Sequence, residues 1–154
     1  MAHSFVKLYV HATFHIARHG SMIPESMEEQ LHAYLNGVFC QLGVNGCDIG
    51  GTEDHVHVLF LLPATILIGD LIGRVKANSS RWMRQQGVRN FRWQIGYAGF
   101  SVSASGVKNV RRYIHNQKEH HRIMSYEEEV MLLFREYGIQ DTRRFVEGAD
   151  SDDV

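Results

Sequence analysis

Apolar and polar residues alternate without a break over residues 5–16. Val6, Leu8, Val10, Ala12, Phe14 and Ile16 share one face, and Lys7, Tyr9, His11, Thr13 and His15 share the other. That period of two predicts a β-strand with one face on a core. After a loop the period lengthens. Leu31, Tyr34, Leu35, Val38, Phe39 and Leu42 form a stripe at helical spacing. The helix is opened by Pro24, or by a capping box of Ser26 and Glu29, and Gly43 ends it. Residues 44–51 read as a short glycine-rich strand in a hairpin with residues 55–62. Its glycines leave room for close approach of another backbone or a ligand. Residues 55–62 are apolar on both faces except for His55 and His57, the mark of a central strand. A second long helix is expected over 66–86, with Leu67, Leu71, Val75 and Trp82 on its apolar side and Gly87 at its end. Residues 91–98 mix aromatics with glycine and lead to a last strand at 99–103. A third helix follows at 106–122, and Ser125 with Glu128 caps a short one ending near residue 137.

The order strand, helix, strand, strand, helix, strand is that of an α+β, ferredoxin-like βαββαβ sandwich: an antiparallel sheet with helices, here extended by C-terminal helices. In that plan the first strand lies beside the third, which puts His11 and His15 next to His55 and His57. The 154 residues suit a single domain with a core at about 5–122, a C-terminal helix at about 126–137 and an acidic end at 147–154 that is expected to be disordered. A chain of this length buries roughly 70 % of its unfolded surface, enough for a core without staples. Two cysteines in no metal-like spacing, no leader pattern and no apolar run of membrane length point to a cytoplasmic protein with no membrane partner.

Charge refines this picture. The net charge of −1 conceals a division: residues 125–154 hold nine acids and three bases, whereas residues 1–124 hold thirteen bases and eight acids. Residues 74–92 carry six bases and no acid, and residues 108–122 carry five bases and one acid. Such runs are either solvated helix faces or the footprint of a polyanion. Arg74, Lys76, Arg81, Lys108, Arg111 and Arg112 are the candidates for nucleic-acid contact. Trp82 and Trp93 are read as core rather than as stacking platforms.

His55 and His57 point the same way from one strand, so two imidazoles can meet one divalent ion, or they are simply satisfied core histidines. A second element tips this balance. Tyr113 and Gln117 are four residues apart on the third helix and face the same side. A tyrosine hydroxyl is a competent nucleophile once activated, and a divalent ion on a phosphate supplies complementary electrostatics. Two imidazoles with an amide oxygen make a mixed site with open positions that suits Mg²⁺ or Mn²⁺. A zinc hydrolase fits less well, because no HExxH-type spacing occurs.

The combination of Asp54-His55-Val56-His57 with Arg112-Tyr113-Ile114 and Gln117 resembles the HUH single-tyrosine transposases of bacterial insertion sequences and their REP-associated relatives. Residues 73–80, the stretch Trp93-Gln94-Ile95-Gly96-Tyr97 leading to Phe100-Ser101-Val102-Ser103, and residues 116–121 extend the resemblance over about 5–145. It implies that His55, His57 and Gln117 coordinate Mg²⁺ or Mn²⁺, with His120 and His121 as possible accessory groups. It implies that Tyr113 attacks a DNA phosphate, forms a 5′-phosphotyrosine link and leaves a 3′-hydroxyl that can later reverse the step. Expected partners are single-stranded DNA bearing hairpins and a second copy of the chain, with no small-molecule cofactor. The tyrosine helix then completes either its own histidine site or the partner's. A domesticated relative that binds DNA or RNA hairpins without cutting is the alternative.

Overall fold

The computed structural model describes residues 3–147. The elements run β1 (Tyr9–His15), α1 (Glu25–Gln41), β2 (Asp48–Gly51), β3 (His55–Leu61), α2 (Ile68–Gln85), β4 (Ala98–Val102), α3 (Val107–His115), α4 (Gln117–His120), α5 (Tyr126–Glu136) and α6 (Arg143–Glu147). The strands form one sheet in the order β2-β3-β1-β4, every neighbouring pair antiparallel. This is the expected α+β, βαββαβ arrangement, with β1 beside β3.

Both faces of the sheet are covered. On one, Val10, Ala12, Phe14, Val56, Val58 and Phe60 pack with Leu31, Leu35 and Phe39 of α1 and Leu71, Val75 and Met83 of α2. Period-two alternation sends the intervening residues to the opposite face. There Leu59 packs with Val107 and Ile114 of α3, and Ala98 and Phe100 pack with Tyr126, Val130 and Phe134 of α5. His11, Thr13, His55 and His57 lie buried on this second face. The alternation that builds the core therefore also delivers the polar cluster.

Several boundaries differ from the sequence expectation. β1 starts at Tyr9 rather than near residue 5, and Phe5, Val6 and Leu8 are exposed. Leu62 N–H donates to the Leu8 carbonyl just beyond the end of the strand pairing. β2 is only Asp48–Gly51, and no side chain caps α1, which begins after Pro24 without the Ser26–Glu29 box. The third helix is not continuous: it breaks at Asn116, whose φ of −103° and ψ of 19° divide α3 from α4. Gly43 and Gly87 do end α1 and α2, both with positive φ. Ser125 Oγ accepts the Glu128 N–H at the start of α5, as expected. Helix α6 has no counterpart in the sequence pattern, and the acidic end after Glu147 lies outside the described residues.

One close approach sets the position of α3. A Cβ at Gly50 would lie 2.0 Å from the Ile114 carbonyl oxygen. Gly50 pairs with His57 across the β2–β3 ladder. The missing side chain thus lets α3's backbone settle directly on the strand pair beside the histidines. Asp48 on β2 adds two tethers, accepting from Arg111 Nε at 2.9 Å and from the His115 ring at 3.0 Å.

Candidate active site

β3 holds His55 and His57 on one face, both fully buried. α3 brings Tyr113 over them, its ring centroid 5.6 Å from that of His57. α4 brings Gln117, whose Oε1 lies 2.8 Å from His55 Nε2. The three groups expected from sequence therefore meet, and they meet within one chain. His121 joins them, its Nε2 2.9 Å from Gln117 Oε1. His120 Nε2 lies 3.0 Å from Glu129 Oε2 but makes no aligned hydrogen bond.

The centre of the cluster is a residue that the sequence pattern does not single out. Glu129 of α5 is 2 % exposed. Its Oε1 lies 2.6 Å from His57 Nε2 and 4.0 Å from His55 Nε2. Its Oε2 accepts from the Tyr113 hydroxyl and from Gln117 Nε2 at 3.1 Å, and lies 3.2 Å from His121 Nε2. A carboxylate buried this deeply is tolerated only with such partners. One signal for it is legible: Tyr126, Glu129, Val130 and Phe134 form the buried stripe of α5, and Glu129 is the acid on that stripe. Glu127 and Glu128 lie off it and are exposed.

A further ring of residues orients the first. His11 Nε2 lies 2.7 Å from His57 Nδ1, and Asp54 Oδ1 lies 2.6 Å from His55 Nδ1. Tyr126 stacks on His55 with centroids 4.2 Å apart, and its hydroxyl is 2.9 Å from Thr13 Oγ1. Thr13 donates in turn to the Val56 carbonyl, so its hydroxyl accepts from Tyr126. His15 stays outside the cluster and faces the Ile16 and Phe145 carbonyls.

The donor set fits a divalent cation. Nitrogen and carboxylate atoms of His55, His57, His121 and Glu129 all lie within 4.8 Å of one another. His55 Nδ1 lies 2.6 Å from Asp54 Oδ1, and its Nε2 lies 2.8 Å from Gln117 Oε1, so the carboxylate holds the ring with Nε2 facing the cluster. An imidazole nitrogen and an amide oxygen brought this close offer adjacent donor atoms to one cation. Burial, opposed only in part by Glu129, lowers the His57 pKa to about 4. Burial and the neighbouring His57 charge lower that of His11 to about 3. Both rings are therefore neutral near pH 7, the form in which imidazole binds metal. Burial would raise the Glu129 pKa, but hydrogen bonds from His121 and His57 outweigh it and hold the carboxyl well below the usual range. Tyr113 is shifted the other way: burial, then the Glu129 charge, push its hydroxyl above the ordinary value.

The basic candidates divide between the two faces. Arg74, Lys76 and Arg81 are on α2, across the sheet from Tyr113. Arg74 is exposed, Arg81 is bound to Asn78 at 2.6 Å, and half-buried Lys76 donates to the Gly96 carbonyl. Lys108, Arg111 and Arg112 are exposed on α3, the tyrosine's own helix, and Arg111 is already paired with Asp48. Trp93 is core, as expected, and half-buried Trp82 stacks on Tyr34. Two clefts of about 660 and 470 Å³ open on the other side of the cluster, both bounded by Asp54, Ser125 and Tyr126 rather than by Tyr113.

Comparison with known proteins gives these features a context. Residues 4–117 match the profile described as "Transposase IS200 like". A crystal structure of a protein from Deinococcus radiodurans R1, described as a transposase, aligns with a TM-score of 0.57 and 22 % identity, over 76 % of this chain and 96 % of that one. The REP-associated tyrosine transposase bound to a REP hairpin aligns with a TM-score of 0.51 and 14 % identity, over 74 % of this chain and 67 % of that one. No curated protein matches the chain.

Proposed function

Given that the chain belongs to the IS200-like transposase family, we propose that it cuts and rejoins single-stranded DNA with Tyr113 as nucleophile. The observation that carries this reading is the convergence of Tyr113 with His55, His57 and Gln117 in one buried cluster.

In the reaction, Tyr113 Oη bonds to phosphorus and the bond from phosphorus to the 3′ oxygen breaks. The DNA 5′ end stays on the tyrosine; the phenol loses its proton and the 3′ oxygen gains one as it leaves as a hydroxyl, so the step is balanced in protons. The reverse attack by a 3′-hydroxyl restores the phosphodiester and frees Tyr113, so no outside energy source enters. The phenol proton starts in a hydrogen bond to Glu129 Oε2. Glu129 holds a proton weakly and Tyr113 holds one tightly, so these two groups alone leave the phenol protonated. His55, His57 and Gln117 would hold a divalent ion, Mg²⁺ or Mn²⁺, which would supply positive charge to offset the negative charge that develops in the reaction. His11 and Asp54 hold the two imidazoles in place, and the stacked Tyr126 excludes water from one side of His55.

Hairpin-bearing single strands are the proposed substrate. The resemblance implies them, and the REP-associated relative is itself bound to a REP hairpin. Lys108 and Arg112, exposed on the tyrosine's helix, are the nearest candidates for the DNA backbone. A second copy of the chain is the proposed partner, and the gathering of Tyr113, His55, His57 and Gln117 within one chain supports a site assembled in cis. No helix among the described residues is long and apolar enough to cross a membrane. The proposed place of action is the cytoplasm, on the nucleoid when DNA is bound.

The test uses labelled hairpin-bearing single strands with Mn²⁺. Wild-type protein is expected to form a covalent adduct, mapped by mass to Tyr113. Tyr113→Phe is expected to bind DNA and form none. An adduct on the Phe variant removes Tyr113 as nucleophile. Binding without any wild-type adduct selects the non-cutting hairpin binder instead.

A further inference from the structure

We propose that Glu129 is itself a metal ligand, making the ion site a two-histidine, one-carboxylate centre in which the same carboxylate holds the nucleophile. The inference rests on the metal-dependent reading above and concerns a residue beyond the family-matched segment, which ends at residue 117.

The two carboxylate oxygens face different tasks. Oε1 is turned to the histidine pair, 2.6 Å from His57 Nε2 and 4.0 Å from His55 Nε2. Oε2 is turned to the Tyr113 hydroxyl, Gln117 Nε2 and His121 Nε2. An oxygen 4.0 Å from one imidazole nitrogen leaves room for an ion between them, since metal–nitrogen and metal–oxygen bonds are each about 2.1 Å. The shorter gap to His57 needs only a small side-chain movement to admit the same ion.

The placement of Glu129 is built rather than incidental. Ser125 caps α5, Tyr126 stacks on His55 and bonds to Thr13, and Val130 and Phe134 anchor the next turns. That docking fixes the register of the helix, and the register sends Glu129 into the cluster while Glu127 and Glu128 stay in solvent. Carboxylate oxygen with two imidazoles, and open positions remaining, is a donor set that hard and borderline divalent ions accept. Compared with an amide oxygen it adds a negative charge, so it tightens the hold on a dication. Gln117, a neutral donor already shared with His121, becomes the weaker contributor.

Binding of Mn²⁺ alone, with no DNA, tests this by calorimetry and by loss of the free-ion EPR signal. Glu129→Gln keeps the shape and removes the charge. Its affinity for Mn²⁺ is expected to fall roughly tenfold or more, with a smaller loss for Gln117→Ala. Unchanged or tighter binding by Glu129→Gln overturns the proposal, as does a larger loss for Gln117→Ala; tighter binding would show the carboxylate to be a plug. If wild-type protein binds no Mn²⁺, the metal-dependent reading itself fails, a distinct outcome. Should Glu129→Gln not fold, wild-type crystals soaked in Mn²⁺ decide by anomalous scattering. An ion about 2.2 Å from a Glu129 oxygen supports the ligand role, and one beyond about 3 Å removes it.

Discussion

Histidine is the residue on which acid sensitivity turns. His11 and His57 are held neutral in the fold, with pKa values of about 3 and 4, against 6.5 for an exposed ring. Their folded-state values lie below the unfolded one. Below about pH 6.5 the unfolded chain therefore takes up protons that the folded chain refuses, and stability falls as pH falls toward 4. Each ring removes on the order of 2 kcal/mol by pH 5. Glu129, with its depressed pKa, adds to the loss at lower pH. His121, raised by its bond to Glu129 against the effect of burial, opposes it, but as one ring against three, since burial also lowers His32 to about 4. The thermal midpoint in metal-free buffer is thus expected to drop steadily from pH 7 to pH 4. A flat or rising midpoint between pH 7 and 5 would show these rings to be protonated in the fold.

At the scale of elements, the site depends on how α3 lies on the β2–β3 pair. Gly50→Ala places a methyl where the Ile114 carbonyl now sits, 2.0 Å away. Neither backbone yields cheaply, so the expected result is α3 lifted off the sheet and about 1–3 kcal/mol of lost stability, the usual cost of overpacking. Tyr113 and Gln117 move with α3 and α4, while His55 and His57 stay on β3. Adduct formation is expected to fall by more than the loss of folded protein explains; a variant with wild-type adduct yield would show that the close approach does not set the tyrosine. The break at Asn116 belongs to the same scale. Helical periodicity alone predicts a straight helix from 106 to 122, but the chain turns at Asn116 and keeps both Tyr113 and Gln117 on Glu129 Oε2.

For the whole molecule, the sheet separates two basic surfaces. Lys108 and Arg112 share the tyrosine's helix, whereas Arg74 and Arg81 lie on α2, against the opposite face. A strand threading past Tyr113 reaches the first pair before the second. Replacing Lys108 and Arg112 by Ala is expected to lower the slope of log affinity against log salt by about 1.4, two single-strand phosphate contacts. Replacing Arg74 and Arg81 is expected to leave the slope unchanged. The reverse result would put the DNA path across α2.

Local periodicity sufficed for much of this protein. Alternation along 5–16 and the apolar run at 55–62 determined which strand faces bury and which strand is central, because a two-residue period admits one assignment of faces. The helical stripes and the order of elements then implied the βαββαβ sheet, and the spacing of His55, His57, Tyr113 and Gln117 marked three sides of the site. Strand ends were less legible, since pairing partners, and not composition, decide where a ladder stops. Glu129, 72 residues beyond His57 in the chain, was decided only in three dimensions. Nothing local distinguishes it strongly from Glu127 and Glu128. The docking of α5 through Tyr126, Val130 and Phe134 selects which of the three enters the cluster. The same holds for Gly50, whose purpose emerges only when α3 is laid on it. A buried polar contact between distant segments leaves no period in the sequence, because its cause is the tertiary packing itself.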